Sequence, residues 1–164
     1  MEKKVSIPKE LAYLDTNIFS FYFAEHPRYE YFRDVTRQWW EQRRKDFYFC
    51  TSSVARNELR EGGYEHQNKA LELLKLTSIL PLNEQILDLA QYYIDHFLAP
   101  KSDIKLYRGD AWHLAICSYY KVDYLITWNQ KHLANVNKMR QLKLMNAKLD
   151  LTTPVIVTPA QLLY

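Results

Sequence analysis

Glycine is scarce in this chain: Gly62, Gly63 and Gly109 are the only three in 164 residues. A glycine-rich phosphate loop or a dinucleotide fingerprint needs several glycines at fixed spacing, so nucleotide chemistry of either kind is excluded. Cysteine is scarcer. Cys50 and Cys117 both lie in apolar segments with no Cys-x-x-Cys pair, which predicts buried free thiols and not a zinc or redox site. No run approaches the roughly 18 apolar residues that span a bilayer. Lys3 and Lys4 are followed by no apolar stretch, so no signal peptide is expected. The protein reads as cytoplasmic, with no membrane partner. Repeats, low-complexity tracts and linkers are also missing, and residues 1–164 are expected to form one domain.

What is present fits an ordinary globular chain. Hydrophobic residues make up 48% and charged residues 25%, a balance that excludes disordered and fibrous classes. The formal net charge of +3 permits nucleic-acid binding without arguing for it. Short apolar runs at 11–14, 47–50, Ser78–Leu80, 124–127 and Val155–Val157 read as strands. Helical spacing marks 18–23, 28–45, 53–61, 66–75, 83–98, a segment opening at Gly109-Asp110, and 138–148. Thr16 or Asn17 is the expected cap of the first helix, and Gly62-Gly63 the expected end of the third. Strands alternating with helices predict an α/β fold, a parallel sheet with helices on both faces. Neither strand order nor register can be read.

The segment 11–20 organises the rest. Four mostly apolar residues run into Asp15, at the point where a buried parallel strand ends, and ligands in open α/β sheets bind beyond the carboxyl ends of strands. A carboxylate there is either a helix cap or the first ligand of a site. Glu58 lies about one and a half turns into the helix after the second strand. Asp110 opens a markedly apolar helix, and Asn129 follows the 124–127 strand. Each alone has an ordinary explanation: Asp15 or Asp110 as a cap, Glu58 as a solvated helix residue, Asn129 as a turn. Together, carboxylates converging on one cleft repel one another, and a cation stabilises them; oxygen-only ligands select hard ions such as Mg²⁺ or Mn²⁺.

The local words around these residues occur in a telling order: Asp15-Thr16-Asn17 after an apolar strand, Glu58 with Gly62 beyond it, Gly109-Asp110-Ala111-Trp112-His113-Leu114-Ala115, and Val122 through Thr127-Trp128-Asn129. That order and spacing resemble the PIN-domain nucleases, in particular the VapC-like toxins of toxin–antitoxin pairs and their stand-alone relatives, over residues 11–163. The resemblance implies a three-layer α/β fold and metal-dependent hydrolysis of RNA phosphodiester bonds. It implies that Asp15, Glu58 and Asp110 form a Mg²⁺ (or Mn²⁺) pocket and carry catalysis. A fourth acid usually follows the Thr after the fourth strand; here Asn129 stands there, an oxygen donor without charge. Either a second metal binds weakly or only with substrate, or catalysis is impaired.

Further expectations follow from that resemblance. Thr127 would bond a phosphate or an acid neighbour, and Arg56, Arg60, Arg108, Lys131 and His132 are candidates for a basic rim accepting RNA. Asn17 would tie the strand turn to neighbouring backbone, and His113 would orient Asp110 or serve as a satisfied core residue. Asp123 reads as a turn or cap. A homodimer and a small antitoxin are the implied protein partners. Two rivals remain. A haloacid dehalogenase-type phosphatase wants a second Asp two residues after the first, where Asn17 stands. A PIN-like module that binds RNA or protein without cutting is suggested by Asn129.

Overall fold

The computed structural model describes residues 8–96, 98–99, 104–131 and 135–163; His132 lies outside them. Among the described residues the chain forms five strands and seven α-helices: β1 (Glu10–Leu14), α1 (Thr16–Tyr22), α2 (Glu30–Arg43), β2 (Phe47–Ser52), α3 (Ser53–Glu61), α4 (Gln67–Leu74), β3 (Ser78–Leu80), α5 (Glu84–Asp95), α6 (Asp110–Tyr119), β4 (Tyr124–Ile126), α7 (Val136–Lys148) and β5 (Val155–Val157). All strand pairs are parallel and the order is β3-β2-β1-β4-β5. The expected α/β class holds.

Alternation along the strands divides the core in two. Ala12 and Leu14 of β1 join Phe47 and Ile126 in a cluster with α1, α2 and α4, through Ile18, Phe19, Trp39, Trp40 and Leu74. Tyr13 points the other way, with Cys50, Leu125 and Ile156, into a cluster with α5, α6 and α7 through Tyr93, Trp112, Ile116 and Leu142. Both thiols are free and buried, as the sequence implies. A sheet buried on both faces needs near-continuous apolar strands, which is what β1 and β4 supply.

Several boundaries differ from the sequence reading. The stretch 28–45 is no single helix: a 3-10 turn at Pro27–Tyr29 leads into α2, and another at Arg44–Asp46 follows it. The first helix is capped by Asp15, not by Thr16 or Asn17, because Asp15 keeps extended backbone while its carboxylate takes the Thr16 N–H. Asp123 works as a clasp at the opposite end of the sheet, its carboxylate accepting from Leu11 N at 2.7 Å. No described helix is long and apolar enough to cross a membrane.

The α7 layer is pinned by one buried amide. Asn146 accepts from the hydroxyl of Tyr93 and donates to Ser118 Oγ at 2.9 Å, Thr152 O at 3.1 Å and Thr153 Oγ1 at 3.1 Å. It joins α5, α6 and the approach to β5. Truncation strands buried polar partners, each costing about 1–3 kcal/mol. Asn146→Ala is therefore expected to lower the urea midpoint by an amount equivalent to about 1–3 kcal/mol; an unchanged midpoint contradicts this role.

Candidate functional site

The strand order places a reversal of direction between β1 and β4. From β1 the chain builds outward through β2 and β3, then returns to the other side of β1 for β4 and β5. A crevice opens at the carboxyl ends of strands at such a switch point, and ligand sites of α/β sheets collect there. Asp15 stands at the end of β1, and Thr127 and Asn129 follow β4.

The Asp15 carboxylate is nearly buried and fully engaged. One oxygen accepts from Thr16 N at 2.7 Å. The other accepts from Thr127 Oγ1 at 2.6 Å and Asn17 Nδ2 at 2.9 Å. Asn17 also receives Trp128 N on its own carbonyl at 3.0 Å, tying the β1 turn to the β4 turn as the sequence suggests. Thr127, expected to meet a phosphate or an acid, meets the acid; its side chain is wholly buried and accepts Asn129 N at 2.9 Å. Asn129 in turn faces Asp110, with its side-chain nitrogen 3.3 Å from both carboxylate oxygens.

Glu58 is drawn in by His113. Its carboxylate lies 2.6 Å from His113 Nε2 and accepts from Thr16 Oγ1 at 3.2 Å. The same imidazole nitrogen is 3.4 Å from Asp15. On the far side, His113 Nδ1 meets the Tyr13 hydroxyl at 2.7 Å, which meets Ser52 Oγ at 2.7 Å. Of the two expectations for His113, the satisfied core residue holds: it is buried with both ring nitrogens bonded, and it links Glu58 and Asp15. Its position three residues after Asp110 put it on a neighbouring helix face, but nothing local could announce a partner on α3. Tyr13 and Ser52 were also missed: one lies inside an apolar strand and the other at a helix start, places that carry no functional signal. Ser52 is indeed the cap of α3.

Electrostatics follow from burial and crowding. Burial pushes the Asp15 carboxyl up, the charge of His113 opposes this, and that of Glu58 adds to it. Burial works against ionised Glu58 as well, but the charge and hydrogen bond of His113, with bonds from Thr16 and the Gly109 backbone, hold it below its ordinary value. Burial lowers His113, yet Glu58, Asp15 and Asp110 together raise it to about 9. The imidazolium thus registers the negative field of three acids.

The basic residues are placed less uniformly. Arg108 pairs with Glu61 at 3.2 Å near the surface. Arg60 and Lys131 are exposed, and Arg56 is half-buried with its Nε lacking a hydrogen-bond partner.

A sequence model of the PIN domain matches residues 12–139, most of the chain. This chain belongs to the PIN domain family. PIN domains are generally nucleases. Among solved structures it is similar in fold to VapBC2 from Rickettsia felis, crystallised with a DNA fragment from its promoter: TM-score 0.51, 16% identity, covering 90% of this chain and 98% of the other. No curated protein matches the sequence.

Oxygen donors dominate around His113, a chemistry suited to a hard divalent cation. The field that lifts a buried histidine to about 9 is of the sign that would hold one. Among the described residues, however, no three Asp, Glu, His or Cys side chains stand ready as a metal cage. Donor type and field fit; Asp15 meanwhile is occupied by Thr127 and Asn17.

A pH dependence of stability follows for the metal-free protein. His113 is raised in the fold, so its contribution is complete below the ordinary histidine value of 6.5 and is lost as pH rises through about 9. Glu58 is lowered, so its contribution persists above the ordinary carboxylate range and fades on acidification. With EDTA present, unfolding free energy should fall from pH 6.5 towards 9, and His113→Gln should flatten that limb. Parallel profiles for the two proteins would refute the ion pair.

Proposed function

We propose that this PIN domain, residues 1–164 acting as one unit, is a Mg²⁺- or Mn²⁺-dependent endoribonuclease of the cytoplasm. The observation that carries the reading is the meeting of Asp15 and Glu58 at one buried imidazole, with Asp110 near enough to raise it, at the sheet's switch point. Asp15, Glu58 and Asp110 would hold the metal, with Asn129 as a neutral donor beside them. Bound there, the metal would supply the Lewis acidity that lowers a water's pKa and neutralises charge at the leaving oxygen. Thr127 and Asn17 orient the Asp15 carboxylate, and His113 with Thr16 orients Glu58. Arg56, Arg60, Arg108 and Lys131 supply positive charge for the RNA backbone. The fold likeness to VapBC2 supports a toxin role with a small antitoxin as partner, and a homodimer is proposed beside it; a short reading frame immediately upstream of the gene would be the antitoxin's expected place.

Purified protein should cleave RNA when Mg²⁺ is added. Asp15→Asn and Asp110→Asn should each reduce the rate at least about a hundred-fold, since a catalytic metal contributes several kcal/mol to the barrier. Asn129→Asp adds the missing charge and should lower the Mg²⁺ concentration needed for half-maximal rate. Equal cleavage by wild type and Asp15→Asn would mean a contaminating nuclease. RNA binding without cleavage would favour a non-cutting module, a reading that the neutral Asn129 beside Asp110 supports.

A further inference from the structure

Beside the acids lies a cavity of about 300 Å³, lined in part by Asn17, Phe21, Arg28, Tyr29, Tyr64 and Glu65. Its volume stands at the lower end for small-molecule pockets, room for a flat ring system and little more. Asn17 belongs to both places. It lines the cavity and donates to Asp15 at 2.9 Å, so an occupant would sit within a residue's width of the catalytic carboxylate. The walls are aromatic. Tyr29 packs with the Arg28 guanidinium, 4.5 Å from its ring centre, and with Phe21, 5.3 Å away.

Tyr64 lines the same cavity, and the backbone is adapted to it. A Cβ on Gly62 would fall 2.2 Å from the Tyr64 ring, so only glycine lets the ring lie against the end of α3. Gly63 takes φ +61°, the left-handed turn that brings the chain back towards α1. The next residue locks the turn: Glu65 accepts Glu25 N at 2.7 Å, and Glu25 pairs with His66 at 3.0 Å. Burial and the charges of Glu58 and Asp15 raise the Tyr64 hydroxyl, consistent with a ring facing the acids.

We infer that this cavity is a nucleobase subsite, taking the base of a nucleotide next to the scissile phosphate between Tyr64 and the Tyr29–Phe21 wall. The inference rests on the ribonuclease reading above. Aromatic faces accept any base by stacking, and the cavity's lining joins the rings of Phe21, Tyr29 and Tyr64 with the cation of Arg28, the pairing of faces and charge that a nucleotide needs. Arg28, which makes no ion pair among the described residues, lies where the adjoining phosphate would pass.

The test uses short fluorescent single-stranded RNAs and protein carrying Asp110→Asn, so that substrate survives, with anisotropy read in Mg²⁺. Stacking contributes about 1–3 kcal/mol per base, so adding Tyr64→Ala should weaken binding at least about five-fold, while Tyr64→Phe stays within about two-fold. An abasic nucleotide moved along the RNA should weaken binding to the Tyr64 protein most at one position and cost the Tyr64→Ala protein nothing further there. Equal thermal melting of the variants excludes misfolding. Unchanged affinity of Tyr64→Ala, with RNA still cleaved by the wild type, overturns the subsite and leaves the ribonuclease standing. Wild type that neither cleaves nor binds RNA overturns both.

Discussion

Placing the Asp15 carboxylate at the buried end of the central strand is the constraint on which the site depends. A carboxylate out of water is costly unless hydrogen-bonded and matched in charge. Here the match is assembled from three separate segments: Thr16 and Asn17 after β1, Thr127 after β4, and His113 from α6. Thr127 can act only because β4 lies beside β1, so the switch in strand order and the setting of Asp15 are linked. Asn17 makes the link explicit by bonding the β4 turn and the acid with one side chain.

The dichotomy between helix cap and functional acid dissolves on this geometry. Asp15 caps α1 with one oxygen and presents the other to Thr127 and Asn17. A cap serves the site, because it fixes the carboxylate's plane before anything binds. Asp110 and Asn129 form the looser half. Their contacts are at 3.3 Å, longer than the hydrogen bonds that Thr16, Asn17 and Thr127 give Asp15, and Asn129 brings no charge to repel its neighbour. A fourth carboxylate at that position would crowd Asp110 unless a cation intervened. The amide therefore eases the metal-free protein at the expense of field strength.

Legibility in the sequence follows the range of each interaction. Strand positions, the parallel class, both buried thiols and the placing of Asp15, Glu58 and Asp110 rest on local alternation and caps, and these were readable. The run 28–45 was misread because helical periodicity passes smoothly over the 3-10 turns at either end. The sequence leaves the cap of α1 open among Asp15, Thr16 and Asn17 because all three are good capping residues and the choice depends on which one keeps extended backbone. Contacts across the fold left no trace. His113 lies 55 residues from Glu58, and Asn146 lies 53 from Tyr93. Their residue types are compatible with a core or a surface, and only the packing of α3, α5 and α6 decides.

Helix α3 shows why the acids form one unit although they derive from both sides of the sheet. Val54 packs with the α5–α6–α7 core, while Leu59 packs with the α1–α2–α4 core. The helix thus crosses the sheet's carboxyl edge from one layer to the other, and Glu58 sits next to the residue that completes the crossing. His113 reaches it from the first layer and Thr16 from the second. A shift of either layer would alter a bond to the same carboxylate. The helix then ends at Gly62, where the Tyr64 ring closes over it and turns the chain back to α1. One short helix therefore sets the distance between the two cores, the reach of Glu58 and the wall of the neighbouring cavity.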